Sequence, residues 1–432
     1  MRPYHEYTPD QSYLLPPSFD ELIAGDDPVR FLREVLPTLD LSAFHAVYRA
    51  ERGRPPYDPE MMLGLLLYGH MRRIRSSRRL AEACRRDVTF IYLAGRATPD
   101  FHTISEFRKR FTEETKGLFV EVLRLCREAG LVRLGHVSLD GTKVRANASK
   151  HKAMSYGRML SREKALEEEV ARWQEEAERE DREEDARYGP DDDGYSLPPE
   201  LTEPKKRLQR IREAKARLEQ QARDKAAAEG REPAEAVVAD KAQANFTDPE
   251  SRIMHTPDGF QQCYNAQAAV DAEDQIIVAC ELSAAAPDVQ RLIPMLKRIV
   301  DLNGQAPAQL SADAGYASEA NFAALAEAEV HAVIALRRYH RDEPPDADPA
   351  AKRSSARWPH RNEMRDRLAT PEGKAAYKLR KQTVEPVFGQ MKEARGFRQF
   401  LRRGLAAVES EWTMACTVHN LLKLQKAWAT PA

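Results

Sequence analysis

The chain has 432 residues, more than one ordinary core accommodates, and no stretch approaches the roughly 18 apolar residues of a membrane span. Its beginning, MRPYHEYTPDQSY, lacks a basic start followed by an apolar run, so two or three folded units in a cytoplasmic chain with no membrane partner are expected. The formal net charge of -1 sums unlike segments, and the five scattered cysteines, with no CxxC pair and no zinc-like Cys/His spacing, read as reduced core thiols.

From Arg72 to Arg110 eleven Lys/Arg face four Asp/Glu, and from Ala350 to Arg403 fifteen face five. Between Glu163 and Glu200 the runs EEE, EREDREED and DDD dominate. Two basic regions flanking an acidic insert is the pattern of a chain whose basic parts touch phosphate.

Residues 16 to 130 read as helical. PEMMLGLLLYGHMRR is apolar all round, as in a buried helix, and SSRRLAEACRRDVTFIYL opens on a serine cap with a basic outer face. After ATPDF, helical spacing of Ile104, Phe107, Phe111, Leu118 and Val122 predicts a helix exposing Arg108, Lys109 and Arg110. Short helices ending this way resemble a helix-turn-helix, although a solvated helix face accounts for the same charges.

At Gly135 the period changes to two: HVSLDGTKVRAN predicts the first strand of a new unit, with Asp140 where the strand hands over to Gly141. From about Lys150 to Asp240, three-four spacing of Met159, Leu166, Val170, Trp173 and Ala177, and of Leu208, Ile211, Ala214, Leu218 and Ala222, predicts a helical hairpin with its tip at YGPDDDGYSLPPE. A poorly ordered charged insertion fits the same composition. FQQCYNAQAAVD and QIIVACELSA then read as antiparallel strands joined at DAED. They lead to helix DVQRLIPMLKRIVD, strand AQLSADAGYA, helix EANFAALAEA and strand VHAVIAL. After a basic loop come a helix from near Gly373 and a last one, VESEWTMACTVHNLLKLQKAW. Three early strands followed by strand–helix alternation is an α/β core with a mixed sheet flanked by helices. It is preceded by an all-α unit over 1–130 and interrupted by a helical-hairpin insertion over 151–240, so the core comprises 131–150 and 241–432.

Two strand-end aspartates, Asp140 and Asp313, and one helix-borne glutamate, Glu385, can converge at one sheet edge. Such a set suits hard divalent ions and phosphodiester chemistry, yet an aspartate beside glycine is also an ordinary turn residue and a helical glutamate is usually solvated. At helical spacing Lys378, Lys381, Glu385 and Lys392 share a face, with Pro386 able to kink or break the helix. NFTDPESRIM is strongly polar: Thr247, Asp248, Ser251 and Arg252 suit a DNA path, while Asp248 and Ser251 equally cap a turn. Gly315 and Tyr316 are read as shaping the Asp313 loop, and His255 and His419 as packing or solvent groups.

Several segments in order resemble transposases of bacterial insertion sequences that carry an Asp-Asp-Glu triad, and they look close to the eleven-eighty-two group. They are YDPEMMLGLLLYGHMRRIRSSRRLAEACRRD, FHTISEFRKRF, SLDGTKVRANASK, NFTDPESRIM, YNAQAAVD, SADAGY, VEPVFGQMKEARGFRQFLRRGL and HNLLKL. The resemblance implies an RNase H-like catalytic unit, two Mg2+ or Mn2+ ions on Asp140, Asp313 and Glu385, and cutting of terminal inverted repeats followed by joining to target DNA. It also implies a homodimer or larger assembly on DNA. In the family's tyrosine-arginine-glutamate-lysine signature Lys392 fits seven residues after Glu385; Arg380 follows Tyr377 by three but precedes Glu385 by five rather than four, where Lys381 has the usual offset. Tyr377, Arg380, Lys381, Lys392, Arg252, Arg108 and Lys109 are the expected DNA-binding residues. The alternatives are a nuclease of the same fold without strand transfer and a DNA-binding derivative without chemistry.

Overall fold

The computed structural model describes residues 18–47, 55–148, 153–188, 199–228, 230–232, 234, 236–240, 242–336 and 358–429. The hairpin tip at 189–198 and the basic loop at 337–357 lie outside the described residues.

Seven helices open the chain: α1 (Pro28–Val35), α2 (Ser42–Ala46), α3 (Pro59–Met71), α4 (Ser77–Arg86), α5 (Val88–Leu93), α6 (Phe101–Arg110) and α7 (Glu114–Glu128). Asp27, Asp58, Asp87 and Asp100 start four of them by accepting a first-turn backbone N–H. The buried run from Met62 to His70 puts α3 in the middle of its neighbours. Gly69 lets α4 approach: a Cβ there would meet Ile74 O and Leu80 Cδ2, both at 2.6 Å.

The basic end of α6 is divided. Lys109 and Arg110 are exposed, whereas Arg108 is only half-buried and donates to Arg75 O at 2.5 Å and Ser77 Oγ at 3.4 Å. The expectation of an exposed Arg108 is corrected by its spacing, four after buried Ile104 and three before buried Phe111, which turns it toward α4.

The mixed sheet is built on β1 (His136–Arg145). β5 (Gly259–Asp271) lies antiparallel to it from Val137↔Asp271 to Arg145↔Cys263. On its other edge β7 (Gln309–Ala312) is parallel, and β8 (His331–Ile334) is parallel to β7. The far edge of β5 is shared by β6 (Ile277–Ser283), paired with Asn265 to Val270, and β4 (Arg252–Thr256), paired with Gly259 to Cys263. The hairpin strand β4 begins within NFTDPESRIM, a segment whose polar sequence pointed to no strand. A further pair, β2 (Ala153–Ser155) and β3 (Gln243–Asn245), closes the foot of the insertion.

In that insertion α8 (Tyr156–Tyr188) and α9 (Pro199–Ala228) run antiparallel, joined by Tyr156–Glu219, Arg212–Glu163, Arg212–Glu167 and Lys215–Glu163 contacts. Met159, Leu166, Leu208, Ile211, Ala214, Leu218 and Ala244 form a small core of their own. Of the residues whose three-four spacing pointed to paired helices, Met159, Leu166, Leu208, Ile211, Ala214 and Leu218 lie in that core.

After β6 come α10 (Leu292–Asn303) and, between β7 and β8, α11 (Glu319–Glu327). Then follow α12 (Pro359–Ala369), α13 (Pro371–Gly389) and α14 (Leu405–Trp428). α14 is buried without interruption from Ser410 to Leu421 and packs on both α7 and β6. One continuous apolar core therefore runs from α1 through α14 into the sheet. All five cysteines are buried and unpaired, and no described helix is long and apolar enough to cross a membrane.

Candidate active site

The parallel register of β1 and β7 ends at Leu139↔Ala312. The next residue on each strand is an aspartate, Asp140 and Asp313, so two carboxylates stand side by side where β7 leaves β1. β1 itself does not end at Asp140, as its glycine neighbour suggested, but continues to Arg145 against β5. The opening in the sheet comes from β7.

Each carboxylate is tied to a backbone N–H: Asp140 Oδ1 accepts from Gly141 at 2.8 Å and Asp313 Oδ1 from Gly315 at 2.7 Å. Arg380 Nη1 donates to Asp140 Oδ2 at 2.9 Å, and its Nη2 lies 3.4 Å from Glu385 Oε1. Burial, supported by the neighbouring Asp313 charge, pushes the Asp140 carboxyl up to about 6 despite the opposing pull of Arg380.

α13 brings Arg380 and Glu385 to these strand ends. Thr370 caps it by accepting from Gly373 N, and Pro386 does not break it, since the helix continues to Gly389. Proline cannot donate to the carbonyl four residues back. Gln275 Nε2 donates to that carbonyl, Gln382 O, at 3.1 Å.

The spacing of the signature left Arg380 and Lys381 open; Arg380 is buried and faces Asp140, while Lys381 and Lys378 are exposed. Tyr377 lies with its ring centroid 5.7 Å from the Arg380 guanidinium. Lys392 sits beyond α13 in a π-helical turn, Gln390–Ala394, and donates to Lys143 O at 3.1 Å. Lys392 thus lies past the α-helical stretch on which the shared lysine face was drawn.

NFTDPESRIM forms a tight turn. Asn245 Oδ1 accepts from Thr247 N and Asp248 N, and the buried Asp248 accepts from Tyr264 OH at 2.8 Å and Gly404 N at 3.2 Å. Arg252 donates to Pro249 O, Ser251 O and Gln221 Oε1, linking β4 to the hairpin. Tyr264 pairs with Val144, four residues along β1 from Asp140, so this cluster belongs to the other end of the strand. His419 is buried between Arg395 and Gln275 O, and His255 stacks edge-on against Phe260.

Sequence reading passed over a group behind the two aspartates. Asp288 Oδ1 accepts from Asn265 Nδ2 at 2.6 Å, Gln267 Nε2 at 2.8 Å and Lys143 Nζ at 3.2 Å. Gln267 also accepts from Tyr316 OH. The available signal was two polar residues, Asn265 and Gln267, at period two within a strand buried on both faces.

The description Transposase domain (DUF772) matches residues 17–110, and Transposase DDE domain matches residues 237–421. The chain belongs to the DDE transposases of insertion sequences. No curated protein and no solved structure matches it. The second match includes Asp313 and Glu385 and begins after Asp140 and the hairpin. What joins Asp140 to the matched part is the pairing of β1 with both β5 and β7.

DDE transposases generally use divalent metal ions. The hard oxygens of Asp140 and Asp313, side by side with Asp140 lifted chiefly by burial, fit such a cation. Glu385 is different: Arg380 bridges it to Asp140, and among the described residues no three His, Cys, Asp or Glu groups stand together as a metal-holding set. The transposase brings the two aspartates together and holds Glu385 at one guanidinium's remove.

A pH effect follows. The folded Asp140 carboxyl lies above its ordinary 3.8, so its favourable share of stability is present below about pH 4 and is lost as pH rises through about 6. In chelator, the stability of Asp140→Asn relative to the unsubstituted transposase is expected to improve by on the order of 2–3 kcal/mol between pH 4 and pH 7. Urea unfolding across that range measures it, and parallel curves would refute it.

Proposed function

We propose that this transposase cuts DNA at the ends of its insertion sequence and joins the freed 3′ ends to target DNA, with Asp140, Asp313 and Glu385 as its catalytic carboxylates. The observation that supports this most is the β1–β7 register, which sets Asp140 and Asp313 level at the point where the strands part. The strand order β6-β5-β1-β7-β8, three antiparallel then two parallel, supports an RNase H-like arrangement. The division into a helical DNA-binding unit over 1–130, a catalytic unit over 131–150 and 241–432, and an inserted hairpin over 151–240 is part of the same reading, as is kinship with the eleven-eighty-two group.

Mg2+ or Mn2+ held by these carboxylates would activate the attacking oxygen and offset charge at the leaving oxygen. Glu385 would join that set with Arg380 turned away from the bridge. Arg380 then presents its guanidinium to a phosphate, a geometry suited to two parallel hydrogen bonds. Tyr377 supports the guanidinium, while Lys392 and Lys143 add positive charge nearby. Phosphoryl transfer depends chiefly on such positioning and charge neutralisation. Lys109 and the exposed Lys381 fit phosphate contacts on the DNA flanking the cut; Arg108 and Arg252, with their guanidiniums engaged in internal hydrogen bonds, fit holding the surfaces that carry such contacts. Joining two ends calls for at least a dimer on DNA.

The test is to incubate the purified transposase with labelled element ends, a target plasmid and magnesium. Joined products are expected. Nicks without joined products would mean a nuclease, and binding with neither would mean a derivative without chemistry.

A further inference from the structure

We propose that Asp288 is a positioning residue for the transposase reaction, holding the two aspartate turns in place through a hydrogen-bonded network. The inference rests on the reading of Asp140 and Asp313 as metal-binding carboxylates.

Asp288 stands just before the short helical turn Val289–Arg291, between the two strand ends. Both glycines that donate to the catalytic aspartates abut it. A Cβ at Gly141 would meet Gln267 Nε2 at 2.3 Å and Asp288 Oδ1 at 2.7 Å. One at Gly315 would lie 2.8 Å from Asp313 Oδ1 and 3.3 Å from Asp288 Oδ2. The glycines therefore do two things at once: their N–H groups hold Asp140 and Asp313, and their missing side chains make room for Asp288.

The hydrogen bonds extend this arrangement. Asp288 gathers Lys143 from β1 and both Asn265 and Gln267 from β5. Gln267 passes the link to Tyr316, next to Gly315 in the turn that carries Asp313. Asn321 on α11 donates to Val289 O and Tyr316 O, both at 2.7 Å, and so pins the backbone after Asp288 to that same turn. Asn265, Gln267 and Tyr316 are fully buried. A polar network this deep persists only when its members are satisfied; removing its central acceptor leaves Lys143 with Ala286 O, Asn265 with Ala285 O and Ala286 O, and Gln267 with Asn265 Oδ1, but without the carboxylate that ties the three together. The turns they brace would then lose their fixed spacing.

Contacts of this kind behind metal ligands typically govern affinity by 10–100-fold. The experiment is a calorimetric titration of the full chain with Mn2+, without DNA, comparing Asp288→Ala, Asp288→Asn and Asp313→Ala. Asp288→Ala is expected to weaken Mn2+ binding about tenfold, while Asp288→Asn, whose amide oxygen still accepts from Asn265 and Gln267, stays within about threefold of the unsubstituted transposase. Should Asp288→Ala fail to fold, Gln267→Leu cuts the link to Tyr316 at similar volume and carries the same expectation. Unchanged affinity in Asp288→Ala overturns the inference. Equal losses in the alanine and asparagine variants overturn it too, because the carboxylate charge itself would then be binding the ion. If Asp313→Ala binds Mn2+ as the unsubstituted chain does, the reading of the site fails, whatever Asp288 does.

Discussion

Asp313→Asn is expected to leave the transposase able to hold element ends while cutting them about 10²–10³-fold more slowly, the usual scale for losing one preorganised charge at a reacting centre. Asparagine keeps an oxygen to accept from Gly315 N, so the turn at 313–316 persists and only the charge is lost. The charge matters because Asp313 stands beside Asp140, whose carboxyl is raised chiefly by burial and in smaller part by this neighbouring charge. Alanine at 313 removes the turn's acceptor as well and should be no more active. An electrophoretic shift measures binding and a nicking assay measures cutting. If Asp313→Asn cuts within tenfold of the unsubstituted transposase, Asp313 is a turn residue and the site lies elsewhere.

The second large effect concerns stability. Glu411 is fully enclosed on α14, where it accepts from Leu401 N and Arg402 N and pairs with Arg75 at 3.1 Å. Burial pushes its carboxyl up against the pull of Arg402, Arg75 and Leu401. Glu411→Ala leaves two backbone donors unpaired and leaves the Arg75 charge buried with only Gln399 O and Gly396 O as acceptors, and breaking a buried pair from one side typically costs about 3–5 kcal/mol. Glu411→Gln keeps an acceptor oxygen and should lose roughly half as much. Thermal denaturation separates them, with the alanine variant expected to melt several degrees lower. Equal melting temperatures for all three chains would show that the pair contributes nothing net. Because Arg75 precedes α4 while Leu401 and Arg402 follow α13, this carboxylate helps fasten the amino-terminal helices to the basic segment beyond Lys392.

The sheet was legible where the hydrophobic period was clean. Alternation around Val137, Leu139 and Val144 marked β1, and the three-four spacing from Met159 and from Leu208 marked the hairpin core. β4 escaped because Arg252–Thr256 alternates weakly and gains its place from a neighbour, β5, rather than from its own residues. The aspartates could be picked out by chain position, but their juxtaposition is a matter of register between strands far apart in sequence. Asp288 carried no local mark, since its partners come from β1 and β5. Arg108 was misplaced because charge runs say nothing about which member follows the apolar stripe inward. That Arg380 and not Lys381 lies against Asp140 is a matter of burial, which signature spacing does not encode.

The hairpin also bears on how the chain reaches its folded state. β1 is a central strand whose partners on both edges, β5 and β7, are synthesised only after the whole insertion. Left open, the loop from Arg145 to Gly259 would have to close over its full length. Because α8 and α9 pair locally and β2 meets β3 at their foot, the chain that must still be closed is short. By the logarithmic dependence of closure entropy on loop length, that removes roughly 1.5 kcal/mol from the search for the β1–β5 pairing. With the insertion's own contacts formed, the far strand lies close to the near one, so length added beyond its core burdens that pairing little.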